Sequence, residues 1–93
     1  MIIRNASVYT EDGIFIEKDI YIADGCFVDS EDKVTDRQVV SGAGCYAIPG
    51  LTDIHFHGCM GYDFCDGTWE AFEAIAAYEL QNGVTQICPA TMT

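Results

Sequence analysis

Asp53, His55 and His57 occupy alternate positions in the run Leu51-Thr52-Asp53-Ile54-His55-Phe56-His57, and alternate residues of an extended strand share a face. Two imidazoles presented together on a rigid strand begin a divalent-metal site, because neutral imidazole ligates zinc, iron, nickel and copper. They supply at most half of the tetrahedral shell that zinc takes. The same spacing suits a pair of core histidines satisfied by hydrogen bonds, and a bare HxH does not separate the two readings. The surroundings favour a pocket: Pro49-Gly50 ahead of the run, Asp53 two residues before the first histidine, and Gly58 directly after the second. A competing grouping adds Cys59 and Cys65 to the histidines as a structural zinc site. Its spacing, HxHxCx₅C, lacks the close CxxC knuckle of most such sites and leaves Asp53 without a role.

The elements that would position these residues are legible on either side. Leu51 to Phe56 reads as a strand buried on both faces. Gly58, Gly61 and Gly67 then loosen the chain into a loop ending at Thr68, a suitable N-cap. The spacing predicts a helix from Trp69 to Gln81, with Glu70 and Glu73 near the positive end of its dipole. Trp69, Phe72, Ala76 and Leu80, widened by Ile75, form the expected core-facing stripe, and Asn82-Gly83 supplies the stop. Val84 to Cys88 reads as a second buried strand, ended by Pro89. Strand, helix and strand make one βαβ unit with parallel strands. Ligands gather at the C-terminal ends of such strands, which is where the histidines fall.

Residues 1–48 read differently. Short apolar runs (Ile2 to Tyr9, Ile14 to Ile16, Ile20 to Ala23, Cys26 to Val28) are separated by Glu11-Asp12-Gly13 and Asp24-Gly25. Asp-Gly between β-prone runs is a strong hairpin signal, so an antiparallel meander is expected. The charged stretch from Ser30 to Asp36 reads as a solvated loop, followed by strands at Val39-Val40 and from Cys45 to Ile48. Gly42-Ala43-Gly44-Cys45-Tyr46-Ala47 matches GxGxxA formally. Pro49-Gly50 stands where a phosphate-binding helix would have to open, so no dinucleotide site is expected.

Composition narrows the function classes. The 93 residues carry 15 acids against four bases, for a net charge of −11. All four bases (Arg4, Lys18, Lys33, Arg37) precede residue 38. Nucleic acid and anionic membrane surfaces are therefore not expected partners, since both require a basic patch. No run approaches the roughly 20 apolar residues of a membrane-spanning helix, and the N-terminus turns polar at Arg4-Asn5, unlike a secretory leader. Five cysteines without a CxxC pair argue against a disulfide framework and for the cytoplasm; Asn5-Ala6-Ser7 then reads as a chance glycosylation sequon. A complete (β/α)₈ barrel needs about 250 residues, so the second half can hold only the opening of such a fold.

The run Pro49-Gly50-Leu51-Thr52-Asp53-Ile54-His55-Phe56-His57-Gly58 resembles the metal-binding first strand of the amidohydrolase superfamily, with its pattern PGxxDxHxH. The meander before it resembles the start of that superfamily's small β-sandwich domain. Within the superfamily, His57-Gly58-Cys59-Met60-Gly61-Tyr62-Asp63, Asp66-Gly67-Thr68, Asn82-Gly83-Val84-Thr85 and Pro89-Ala90-Thr91-Met92-Thr93 most resemble N-acetylglucosamine-6-phosphate deacetylases. Dihydroorotase-like relatives, which act on cyclic amides, carry HxHxR; here that position is Cys59.

The resemblance implies an α/β fragment. Residues 1–48 would form part of a β-sandwich, and residues 49–93 strand 1, helix 1 and strand 2 of a TIM-barrel hydrolase. It implies a divalent metal, zinc or iron, with His55 and His57 as ligands and Asp53 matching the motif without an assigned task. A metal-activated water would attack the N-acetyl carbonyl of an amino-sugar phosphate and release acetate. The remaining ligands, the proton-managing aspartate and the phosphate grip would lie on later barrel strands, so no catalytic residue falls within this chain and the isolated chain is expected to be inactive. A homo-oligomer is expected. The rival from another class is a non-catalytic β-rich interaction domain.

Overall fold

The computed structural model describes residues 1–92; Thr93, the last residue of the Pro89-to-Thr93 motif, lies outside them. The chain divides into two compact units, Met1–Pro49 and Gly50 onward, and mixes nine strands with one α-helix among the described residues.

In the first unit β1 (Ile2–Tyr9) pairs antiparallel with β2 (Phe15–Ala23), and β2 with β3 (Cys26–Val28). The expected runs Ile14 to Ile16 and Ile20 to Ala23 merge into one strand that begins at Phe15, because Glu17 and Lys18 sit in register against Ser7 and Ala6 of β1. Asp24 and Gly25 both take positive φ, 51° and 75°, the backbone of the tight hairpin turn that this dipeptide favours. The expected antiparallel meander is thus present from β1 to β3, and the strands after it do not extend it. The strands β4 (Val39–Ser41) and β5 (Tyr46–Ala47) both run parallel to β1, along its other edge. Between them Gly42 crosses so close to β1 that an added Cβ would lie 2.9 Å from the Ala6 Cβ. That mixed five-stranded sheet is the only sheet of this unit among the described residues.

Two more departures have clear causes. In β1 the pairing slips between Ile3 and Ala6, and Asn5 adopts φ 57°. Asp19 fills the irregularity: its carboxylate accepts from the Asn5 backbone N–H at 2.9 Å and from the Arg4 guanidinium. The stretch after Ser30 is not a free loop. It forms a 3₁₀ turn at Glu31–Lys33 and buries Val34, leaving it 5% exposed. Glu31 accepts from both Arg4 and Arg37, and Lys33 pairs with Asp29. Part of that charge cross-links the turn, with Glu31 between two arginines and Asp29 against Lys33.

The second unit opens with β6 (Leu51–Phe56), continues through a small hairpin of β7 (Gly58–Cys59) and β8 (Tyr62–Asp63), and then forms α1 (Trp69–Gln81) and β9 (Val84–Pro89). β6 and β9 pair in parallel around the helix. The expected caps are present: the Thr68 hydroxyl accepts from the Ala71 N–H at 3.2 Å, and Gly83 leaves the helix at φ 84°.

The burial expectations do not hold. Neither β6 nor β9 is buried on both faces, and Ile54 is 78% exposed, because the sheet has only two strands. On α1 the packed face is Ala71 and Ile75, one turn apart, set against β9 and the hairpin. Trp69 and Leu80 stay 71% and 64% exposed, with Trp69 stacked on Phe72 instead. No helix among the described residues is long and apolar enough to cross a membrane.

Candidate metal centre

The histidines lie where β6 ends and the chain turns into the β7–β8 hairpin. Gly58 permits that turn. A Cβ there would overlap the Tyr62 carbonyl oxygen and stand 2.8 Å from the Asp63 Cα. Met60 and Gly61, at φ 57° and 82°, make the two-residue link. This hairpin occupies what the glycine spacing alone marks as an open loop.

The two imidazoles meet edge to face with ring centroids 5.1 Å apart. His57 is half-buried and His55 exposed. The His57 Nδ1 lies 2.9 Å from the Ala90 carbonyl oxygen, just past β9. A carbonyl only accepts, so in the neutral ring the proton sits on Nδ1 and Nε2 keeps its lone pair. Metal-ligating histidines are held in this way, with one ring nitrogen donating to a carbonyl or carboxylate so that the other is aimed and made more basic. The donor chemistry of the pair therefore fits a divalent ion bound through imidazole, with His55 and His57 as the residues to hold it.

Asp53 does not join them. Its Oδ1 accepts from the His55 backbone N–H at 3.0 Å, so it braces the strand end. Strand alternation places Asp53 and His55 on one face, but the pairing with β9 slips between Asp53 and Phe56, and the carboxylate closes on its own backbone. The structural-zinc grouping fails as well. No cluster of three or more potential ligands exists among the described residues. Burial pushes the Cys59 thiol pKa up, with Glu79 adding to it. The Cys65 Sγ instead engages the Met92 backbone, accepting from N–H at 3.2 Å and donating to C=O at 3.1 Å.

Around His57 the backbone is tied down. Its carbonyl accepts from the Phe64 N–H at 2.9 Å. Phe64–Asp66 form a 3₁₀ turn closed by a capping box between Asp63 and Asp66. The Cys65 N–H is the main reason the Asp63 carboxyl sits below the usual carboxylate range, with the Cys65 thiol and the nearby His57 contributing. Residue types in the sequence gave no sign of the Ala90 carbonyl, because backbone acceptors have no sequence signature.

Sequence comparison adds a family relation. The chain is 27% identical over 95 residues to the N-acetylglucosamine-6-phosphate deacetylase of Lysinibacillus sphaericus, covering 100% of the chain and 24% of that protein. It is 29% identical over 90 residues to the N-acetylglucosamine-6-phosphate deacetylase of Bos taurus, covering 87% of the chain and 22% of that protein. The chain thus spans about a quarter of the length of these curated relatives. No family model matches the chain, and no solved structure matches it significantly.

Proposed function

We propose that the chain is the N-terminal portion of a metal-dependent amidohydrolase that removes the N-acetyl group of N-acetylglucosamine-6-phosphate, giving glucosamine-6-phosphate and acetate. The observation that carries this reading is the His57 ring, fixed through Nδ1 on the Ala90 carbonyl beside His55 at the C-terminal end of a parallel strand pair. The deacetylase names of the two relatives supply the substrate. Residues 1–48 are read as part of a β-sandwich, and residues 49–93 as the first strand, helix and second strand of a (β/α)₈ barrel.

A divalent ion, zinc or iron, would activate a water for attack and polarise the acetyl carbonyl. The chain's own contribution is to hold and aim two ligands. The Asp53 carboxylate braces the strand, and the tethered hairpin fixes the His57 backbone. We read the enzyme as cytoplasmic, acting on a small amino-sugar phosphate as a homo-oligomer; five cysteines without a CxxC pair support a reducing compartment.

Acetate release from N-acetylglucosamine-6-phosphate tests the reading. A polypeptide that continues these 93 residues into the rest of the barrel should turn the substrate over in the presence of zinc or iron. The 93-residue chain alone should show nothing above buffer, because two histidines leave the ion short of ligands and no general base is present. Turnover by the 93-residue chain, or none by the longer polypeptide at any metal loading, would overturn it.

A further inference from the structure

We infer that Cys65 is a positioning residue for His57, acting through the backbone of residues 90 to 92; the inference rests on the metal-ligand reading of His57 for its purpose but not for its test. The structure closes a ring of hydrogen bonds. The His57 carbonyl accepts from the Phe64 N–H, and Cys65, the next residue, exchanges two hydrogen bonds with Met92 through its sulfur. Two residues earlier, the Ala90 carbonyl accepts from the His57 imidazole.

The direction of that carbonyl depends on the peptide plane between Ala90 and Thr91. On one side the plane is anchored by the Ala90 N–H, which donates to the Phe56 carbonyl at 2.9 Å. This anchor alone leaves the plane free to turn about the Ala90 Cα–C bond. The second anchor is the Cys65 sulfur on Met92, which fixes the chain beyond the plane. A thiol suits the task because it both donates and accepts. Cys65 in turn is held by its own N–H, which donates to the Asp63 carboxylate at 2.7 Å. With both anchors in place the Ala90 oxygen faces the imidazole, Nδ1 keeps the proton, and Nε2 is left free to accept.

The test reads the His57 tautomer by long-range proton–nitrogen correlation of the imidazole in the full chain, without metal, near pH 8. Wild type should show His57 predominantly protonated at Nδ1. Cys65→Ala should lower the ratio of Nδ1–H to Nε2–H by about fivefold, the worth of one ordinary hydrogen bond, and Cys65→Ser, which keeps a donor and an acceptor, should restore it to within about twofold of wild type. Met92→Pro removes the donating N–H from the other side and should reproduce the Cys65→Ala result; it decides the matter should Cys65→Ala fail to fold. An unchanged ratio in Cys65→Ala or Met92→Pro, or an equal loss in the serine and alanine variants, would overturn the inference. Adding zinc to a polypeptide that continues these residues into the remaining barrel strands separates the two ideas. A tautomer that responds to Cys65 while the His57 Nε2 resonance ignores zinc would leave Cys65 as a positioning residue and defeat the metal-ligand reading.

Discussion

Gly58→Ala should loosen the turn that follows the histidines, and the structure sets the scale. An added methyl would overlap the Tyr62 carbonyl oxygen and lie 2.8 Å and 3.0 Å from the Asp63 Cα and the Tyr62 carbonyl carbon. These are backbone atoms of the partner strand, so no side chain can swing aside. Either β7 and β8 separate, breaking the Gly58–Asp63 and Cys59–Tyr62 pairing, or the crowding is absorbed as strain. Overpacking of this kind costs about 1–3 kcal/mol, which in a domain of this size lowers Tm by roughly 5 to 20 °C. The matched control is Gly61→Ala, where a methyl meets nothing within 4 Å and only the φ of 82° is unfavourable; its cost should be about 1–2 kcal/mol. Thermal unfolding followed by circular dichroism and by Trp69 fluorescence gives the comparison, since Trp69 is the single tryptophan and lies in the second unit. The imidazole signal of His57 should shift in Gly58→Ala, because separating the strands pulls the Phe64 N–H from the His57 carbonyl. A Gly58→Ala variant that melts within about 2 °C of wild type, well under the shift expected for 1 kcal/mol, with His57 undisturbed, would refute the close approach.

Ile75→Ala, at a fully buried position, should destabilise the second unit by about 2–5 kcal/mol, whereas Leu80→Ala, 64% exposed, should stay within about 0.5 kcal/mol; urea unfolding distinguishes them, and equal costs would restore the stripe read from helical spacing. Met60→Asn should stabilise the hairpin by about 1 kcal/mol, because Met60 is 63% exposed at φ 57° and asparagine tolerates the left-handed region that other side chains resist; an unchanged or lower Tm would count against that turn geometry. Asp19, Asp29 and Asp63 all have lowered pKa values, owing chiefly to hydrogen bonds from Arg4, Lys33 and the Cys65 N–H respectively. Their contribution to stability is present above the unfolded carboxylate pKa of about 3.9 and is lost as pH falls through the lower folded values. An acid titration by circular dichroism should therefore show stability falling below about pH 4, with a shallower fall in Asp19→Asn; an identical acid limb in that variant would show that the Arg4–Asp19 pairing does not form in solution.

Local chemistry was the legible part of the sequence. Asp24-Gly25, Thr68 and Asn82-Gly83 each mark a turn or cap through their own backbone preferences, and the structure places a hairpin turn, an N-cap and a helix stop there. What escaped depends on partners distant in the chain. Nothing near Val39 or Tyr46 says that these strands run parallel to β1, and nothing near Glu31 says that Arg4, 27 positions earlier, supplies its partner. The stripe on α1 was misplaced because spacing identifies an apolar face but not the element that covers it. At the candidate site the His55–His57 pair was plain from alternate spacing. The fate of Asp53 turned on a slip in strand pairing, and the Ala90 carbonyl, 33 positions from His57, could come only from the fold.

The central claim is that His55 and His57 are metal ligands while the cysteines are not, and the metal content of a polypeptide carrying this chain and the remaining barrel strands tests it most directly. Elemental analysis of the purified protein should find zinc or iron in wild type, Cys59→Ser and Cys65→Ser, and a marked loss in both His55→Ala and His57→Ala. Metal retained in both histidine variants and lost from the cysteine variants would contradict the claim and assign the ion to a thiolate site.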